Sequence, residues 1–153
     1  MGLLVYGFDL QVGDEEDTGF VVRMLREKSF KAIERAKRNL KYDDFDGAVF
    51  NAQQHVELYL KSVVVEYSGL TPRTHSLRKL LATVGKIFGR ENEVSKFIRD
   101  NRFKLRVLED AYFQSRYGFT EYSREEAEEL VKFAEEIVEF AKNIMSARKG
   151  GGL

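Results

Sequence analysis

The sequence predicts an all-α protein, an antiparallel up-down bundle of about five helices. Two observations carry this. Apolar residues recur every three or four positions through five separate stretches, the spacing that puts them on one face of an α-helix. Between those stretches stand capping and stop residues: Asp43-Asp44, Ser68-Gly69, Gly89, Gly118 and Ser123. Short links of this kind favour antiparallel neighbours.

Helix 1 is expected from Gly19 to Leu40, with Val22, Leu25, Ser29, Ala32, Ile33, Ala36 and Leu40 on its inner face. Asp43 or Asp44 can cap helix 2, because a short carboxylate accepts a bond from an orphan N–H in the first turn. Helix 2 then runs to about Tyr67 on Phe45, Ala48, Val49, Ala52, Val56, Tyr59, Leu60, Val63 and Val64. Gly69 suits the left-handed position that ends a helix. Helix 3 is short, about 76–88, with Leu77, Leu80, Leu81, Val84 and Phe88. Helix 4 is expected unbroken from Glu91 to Tyr117 on Val94, Phe97, Ile98, Leu105, Leu108 and Tyr112. Helix 5 opens with the capping box Ser123-Arg124-Glu125-Glu126. Its stripe runs through Ala127, Leu130, Val131, Ala134, Ile137, Val138, Ala141, Ile144 and Met145, widened by Phe133 and Phe140.

The domain reading is an N-terminal arm over 1–18, one helical domain over 19–148 and a flexible tail over 149–153. Leu3, Val5, Phe8, Leu10 and Val12 alternate as in a strand, but no partner strand is evident in the sequence. The arm therefore reads either as a poorly ordered segment or as one that docks on a second subunit.

Composition narrows the function. The 153 residues carry 25 Lys+Arg against 25 Asp+Glu, a balance that argues against generic electrostatic binding of nucleic acid. There is no cysteine, so disulfide and thiolate chemistry are excluded, and two histidines make a zinc site improbable. No cofactor is expected. No run approaches the ~20 apolar residues that span a bilayer, and the start lacks the basic region of a secretory signal. A cytoplasmic location is expected.

If the helices alternate in direction, Arg73, His75, Arg116, Tyr117 and Tyr122 gather at one end of the bundle. The starts of helices 3 and 5 would point their positive dipole ends at the same place, which suits an anion such as phosphate. Each residue also has an ordinary account. His55 falls at the edge of the helix 2 core face and reads as a hydrogen-bonded structural histidine. His75 reads either as a helix-start residue or as a functional imidazole beside Arg73. Lys61 lies four after Glu57, the spacing of a helix ion pair, or reaches a phosphate. Arg116 complements a helix C-terminus or grips an anion with its planar fork. Gln53-Gln54 either bridge two subunits or face solvent. Arg99, Arg102 and Arg106 share one helical face, either as a solvated surface or as a surface for RNA or an acidic partner.

Three stretches carry a resemblance. They are Asp46-Gly47-Ala48-Val49-Phe50-Asn51-Ala52-Gln53-Gln54-His55-Val56-Glu57-Leu58-Tyr59-Leu60-Lys61, then Thr74-His75-Ser76-Leu77-Arg78-Lys79-Leu80-Leu81, then Leu108-Glu109-Asp110-Ala111-Tyr112-Phe113-Gln114-Ser115-Arg116-Tyr117. In this order and spacing the chain resembles small prokaryotic HEPN domains over most of residues 29–145. The resemblance implies an all-α bundle, commonly a homodimer. It also implies partnership with a minimal nucleotidyltransferase, with which many such proteins form a toxin–antitoxin pair, and binding of nucleotide or RNA. Some family members are metal-independent ribonucleases that carry an Arg and then a His after four to six intervening residues. This sequence departs from that pattern. Its nearest arginine before His55 is Arg38, and Arg73 stands only two before His75. Ribonuclease activity is therefore not implied, and an RNA-cleaving role for His75 with Arg116 or Arg73 is the alternative. A purely structural dimerisation domain is a third reading. By analogy with the family, Tyr117 beside Arg116 is a residue that such a nucleotidyltransferase would modify.

Overall fold

A computed structural model describes the backbone of residues 2–5, 8–12, 15–118 and 121–151, and side chains over 17–118 and 121–146. The order is β1 (Gly2–Val5), β2 (Phe8–Val12), α1 (Glu15–Lys41), α2 (Phe45–Ser68), β3 (Leu70–Pro72), α3 (Leu77–Phe88), α4 (Glu91–Asp100), α5 (Arg102–Tyr117) and α6 (Arg124–Gly151). The chain is mainly helical, as expected, but the described residues form six helices rather than five. The expected arm and tail include Met1, Gly152 and Leu153, which lie outside the described residues.

The caps lie where local chemistry puts them. Asp44 accepts the Gly47 N–H at 3.0 Å and starts α2. Gly69 and Gly89 take left-handed conformations, with φ of 74° and 66°, that a Cβ would disfavour. Ser123 and Glu126 close the capping box: the Glu126 N–H donates to Ser123 Oγ at 3.1 Å, and the Ser123 N–H donates to Glu126 Oε1 at 2.9 Å.

The predicted faces are the buried faces. Ala48, Val49, Ala52, Val56, Leu60, Val63 and Val64 of α2 meet Leu77, Leu80, Leu81 and Val84 of α3 in one cluster. Leu105 and Leu108 of α5 join it, with Ala127, Phe133, Ala134, Ile137, Ala141 and Ile144 of α6. Burying a Leu or Ile side chain contributes about 1.5–3 kcal/mol, so this cluster dominates the stability of the fold. Helix α2 is its axis, packing against α1, α3, α5, α6 and β3.

Three expectations are corrected. The expected single helix over 91–117 breaks at Asn101. There the Asn101 side chain donates to the Phe97 carbonyl at 2.9 Å and its own N–H donates to the same oxygen at 3.1 Å. A side chain that competes for helical carbonyls ends a helix. Second, a small antiparallel sheet of order β1-β2-β3 is present. Leu3 stands opposite Leu10, and Gln11 opposite Thr71. Its third strand has only three residues, too few for an alternating pattern to show, and Pro72 is tolerated there because β3 is an edge.

Third, the helices do not alternate in direction. The extended segment after Gly69 carries the chain back along α2, so that His75 reaches Glu57, in the middle of α2, at 3.1 Å. Helix α3 then runs alongside α2 in the same direction, and Phe88 at its end meets Tyr67 near the end of α2, with ring centroids 4.8 Å apart. Helix α5 runs the other way. A strand stands where the sequence implied only a short link.

Candidate functional site

The polar residues of α2 converge on a buried carboxylate. Glu57 is 3 % exposed. Gln53 Nε2 donates to Glu57 Oε1 at 2.8 Å, and Lys61 Nζ to Oε2 at 3.0 Å. Residues four apart share a helix face, so α2 alone places these three together. The return segment adds His75, whose Nδ1 lies 3.1 Å from both carboxylate oxygens. Gln54 donates to Gln53 Oε1 at 2.7 Å and extends the network. A carboxylate only accepts, so Nδ1 carries the hydrogen and Nε2 is left as the basic position in the neutral ring.

The other side of His75 is aromatic. Its ring stacks on Tyr112 of α5, with centroids 3.8 Å apart and planes at 17°. The Arg116 guanidinium, one turn further, stands 4.9 Å from the same Tyr112 ring. Phe113 meets both rings edge-on. The His75 side chain is 35 % exposed, and Arg116 is exposed. This is an open face where an imidazole, a phenol and a guanidinium lie within one stack.

A second carboxylate pins the start of α3. Glu109 of α5 accepts from Ser76 Oγ at 2.9 Å, from the Arg78 N–H at 3.2 Å and from Arg78 Nη2 at 2.8 Å. Burial alone would raise the Glu109 carboxyl, but the Arg78 and Ser76 bonds and the Arg78 charge together hold it below the usual carboxylate range. The loop that bears His75 is thus fixed at both ends.

The residues expected to gather therefore divide. His75 and Arg116 come together through Tyr112. Arg73 is exposed and forms no hydrogen bond or ion pair with a described residue. Tyr117 is 77 % exposed. Lys61 is turned inward, 11 % exposed, with its charge held by Glu57. Tyr122 faces elsewhere, into a cavity of about 520 Å³ lined by Asp46, Gly47, Phe50, Gln114 and Ser115. The starts of α3 and α6 do not converge. Helix α6 begins beside the start of α2, where Arg124 pairs with Asp43. Helix α3 begins beside Glu57, about 18 Å further along α2 at 1.5 Å per residue.

His55 is buried, as the sequence suggested. Its Nδ1 donates to the Ser29 carbonyl at 2.8 Å, while Ser29 Oγ donates to the His55 carbonyl at 2.7 Å. Burial lowers its pKa against the opposing pull of that carbonyl. Gln53 and Gln54 serve the Glu57 network inside the chain. Among the described residues no group of His, Asp and Glu is arranged to hold a metal, and no helix is long and apolar enough to cross a membrane.

Comparison with protein families decides the relationship. The model of the HEPN domain matches residues 22–144. The chain belongs to the HEPN domain family. Comparison with curated proteins and with solved structures gives no match. In this HEPN domain the sequence did not single out the hub Glu57 or the stacking ring Tyr112 as neighbours of His75. Tyr112 falls at core spacing and Glu57 at ion-pair spacing, and nothing local marks either as a partner of His75.

Proposed function

We propose that this HEPN domain is a nucleotide- or RNA-binding module that associates with a minimal nucleotidyltransferase, as the toxin-like half of a pair, and works as a cytoplasmic homodimer. It has no catalytic step of its own, since the Arg-and-His spacing of the family's ribonucleases is missing. The observation that carries this reading is the His75–Tyr112–Arg116 stack. A planar aromatic face beside a guanidinium suits a base and its phosphate, and stacking of one base on an aromatic side chain is worth roughly 1–3 kcal/mol. Arg73, two residues before His75, and Tyr117, next to Arg116, are further candidates to meet the phosphate, and Lys61 supports His75 through Glu57.

Calorimetric titration with nucleoside triphosphates and with single-stranded RNA tests it. The expected result is binding that Arg116→Ala and Tyr112→Ala each weaken by about tenfold, or about 1.4 kcal/mol. No binding by the wild-type protein overturns it and leaves the structural dimerisation domain.

One observation favours a second reading, RNA cleavage. The Glu57–His75 bond orients the imidazole as a carboxylate orients a catalytic histidine, and leaves Nε2 free to take a proton. His75 Nε2 would accept the proton of an RNA 2′-OH as that oxygen bonds to phosphorus and the P–5′-O bond breaks, the departing 5′-oxygen taking a proton from solvent, while Arg116 or Arg73 holds the phosphate. Incubation with structured RNA separates the readings. Cleavage that His75→Ala abolishes establishes the second, and binding without cleavage keeps the first.

A further inference from the structure

Helix α5 buries Leu105, Leu108 and Ala111 on one side. On the opposite side Phe103, Arg106, Asp110, Phe113 and Tyr117 follow at alternating spacings of three and four. All five are exposed, Phe103 at 78 %, Phe113 at 54 % and Tyr117 at 77 %. This is the seam pattern of a helix that packs on another helix, yet apart from the edge contacts of Phe113 with His75 and Tyr112 the described chain leaves it exposed. Three of the seven large hydrophobic residues left exposed among the described residues lie on it. Of the neighbouring lysines, Lys96 pairs with Asp100 and Lys104 with Glu129. Arg106 and Asp110 do not pair, for neither lies within ion-pair distance of an opposite charge among the described residues.

The order of these residues selects the occupant. When two copies of a helix cross about a two-fold axis, positions equidistant from the axis face each other. Phe103 and Phe113 are centred on position 108, and so are Arg106 and Asp110. One axis beside residue 108 therefore sets Arg106 against Asp110 of the second copy and Phe103 against Phe113 of the second copy, each twice. The stripe is self-complementary, which an isologous interface requires. An RNA strand fits it poorly, because Asp110 would repel phosphate at its centre.

We infer that the exposed α5 stripe is the homodimer face, with the two α5 helices antiparallel about an axis beside position 108. This rests on the dimeric part of the function proposed above and adds the face and register.

Sedimentation velocity on the full chain tests it with charge reversals. The wild type is expected to sediment as a dimer. Arg106→Glu and Asp110→Arg are each expected to raise the dimer dissociation constant at least tenfold, since each sets like charges opposite one another twice. Mixing the two variants is expected to restore a dimer, because each like-charged contact then becomes an opposite pair. That rescue also excludes misfolding as the cause. A wild-type monomer overturns the dimeric reading itself. A wild-type dimer that both reversals leave unchanged overturns the face alone, and weakening without rescue overturns the register. Nucleotide binding is read separately by calorimetry, so its failure is not confused with either.

Discussion

Glu57 shows how much of this site depends on one buried charge. A carboxylate at 3 % exposure costs several kcal/mol to bury unless its lone pairs are filled, and Gln53, Lys61 and His75 fill them. Removing it strands a nearly buried ammonium and unpins the imidazole. Glu57→Ala is therefore expected to destabilise the protein by about 3 kcal/mol in urea unfolding, and Glu57→Gln by less, because the amide still fills the space and accepts one bond. An Ala variant as stable as wild type would mean that the network is solvated. Half of this was legible in the sequence. The Glu57–Lys61 spacing announced an ion pair, and His75 stood out as one of only two histidines. Their meeting was not legible, because the return segment and the Tyr112 stack that hold His75 are tertiary facts.

Among the elements, the α3–α4 hairpin is fixed by the absence of a side chain. Gly85 is buried in the middle of α3, and a Cβ placed there would lie 3.0 Å from both Cβ and Cγ2 of Val94. Replacing a mid-helix glycine with alanine ordinarily gains up to about 1 kcal/mol. Here the gain is opposed by overpacking of about 1–3 kcal/mol against the buried, β-branched Val94. Gly85→Ala is expected to lower stability by about 1–2 kcal/mol in thermal or urea unfolding. In a Val94→Ala background the same change is expected to be neutral or stabilising, a coupling that a double-mutant cycle measures. The apolar stripes of the five expected helices were legible from their spacing, because burial follows the 3.6-residue period whatever the neighbour is. The Asn101 break was not legible, since Leu105 and Leu108 continue the stripe across it. The sheet was half legible: β1 and β2 alternate, but β3 is too short to do so.

At the level of the molecule, the path of the chain decides which groups are buried together, and that decides its response to acid. The direction of α3 turns on the eight residues between α2 and α3, so the sequence pattern could not settle it, and with it went the position of every group those residues carry. Two titrating groups owe their environments to this packing. His55, enclosed by α1 and α2, has its pKa lowered, chiefly by burial, from the ordinary 6.5. The unfolded chain therefore binds a proton that the folded one resists. The stability tied to His55 is complete above about pH 6.5 and is lost as the pH falls towards the lowered folded value. Glu109 is held below its ordinary 4.5 by Arg78 and Ser76 against the cost of burial. Its contribution is complete above about pH 4.5 and is lost only as the pH falls through its folded value. Urea midpoints measured from pH 8 to 3 are thus expected to fall in two stages. His55→Gln should flatten the first stage while leaving the second, and Glu109→Gln should flatten the second while leaving the first. A first stage that survives His55→Gln would assign it to another group and would mean that the α1–α2 seam admits the proton at no cost.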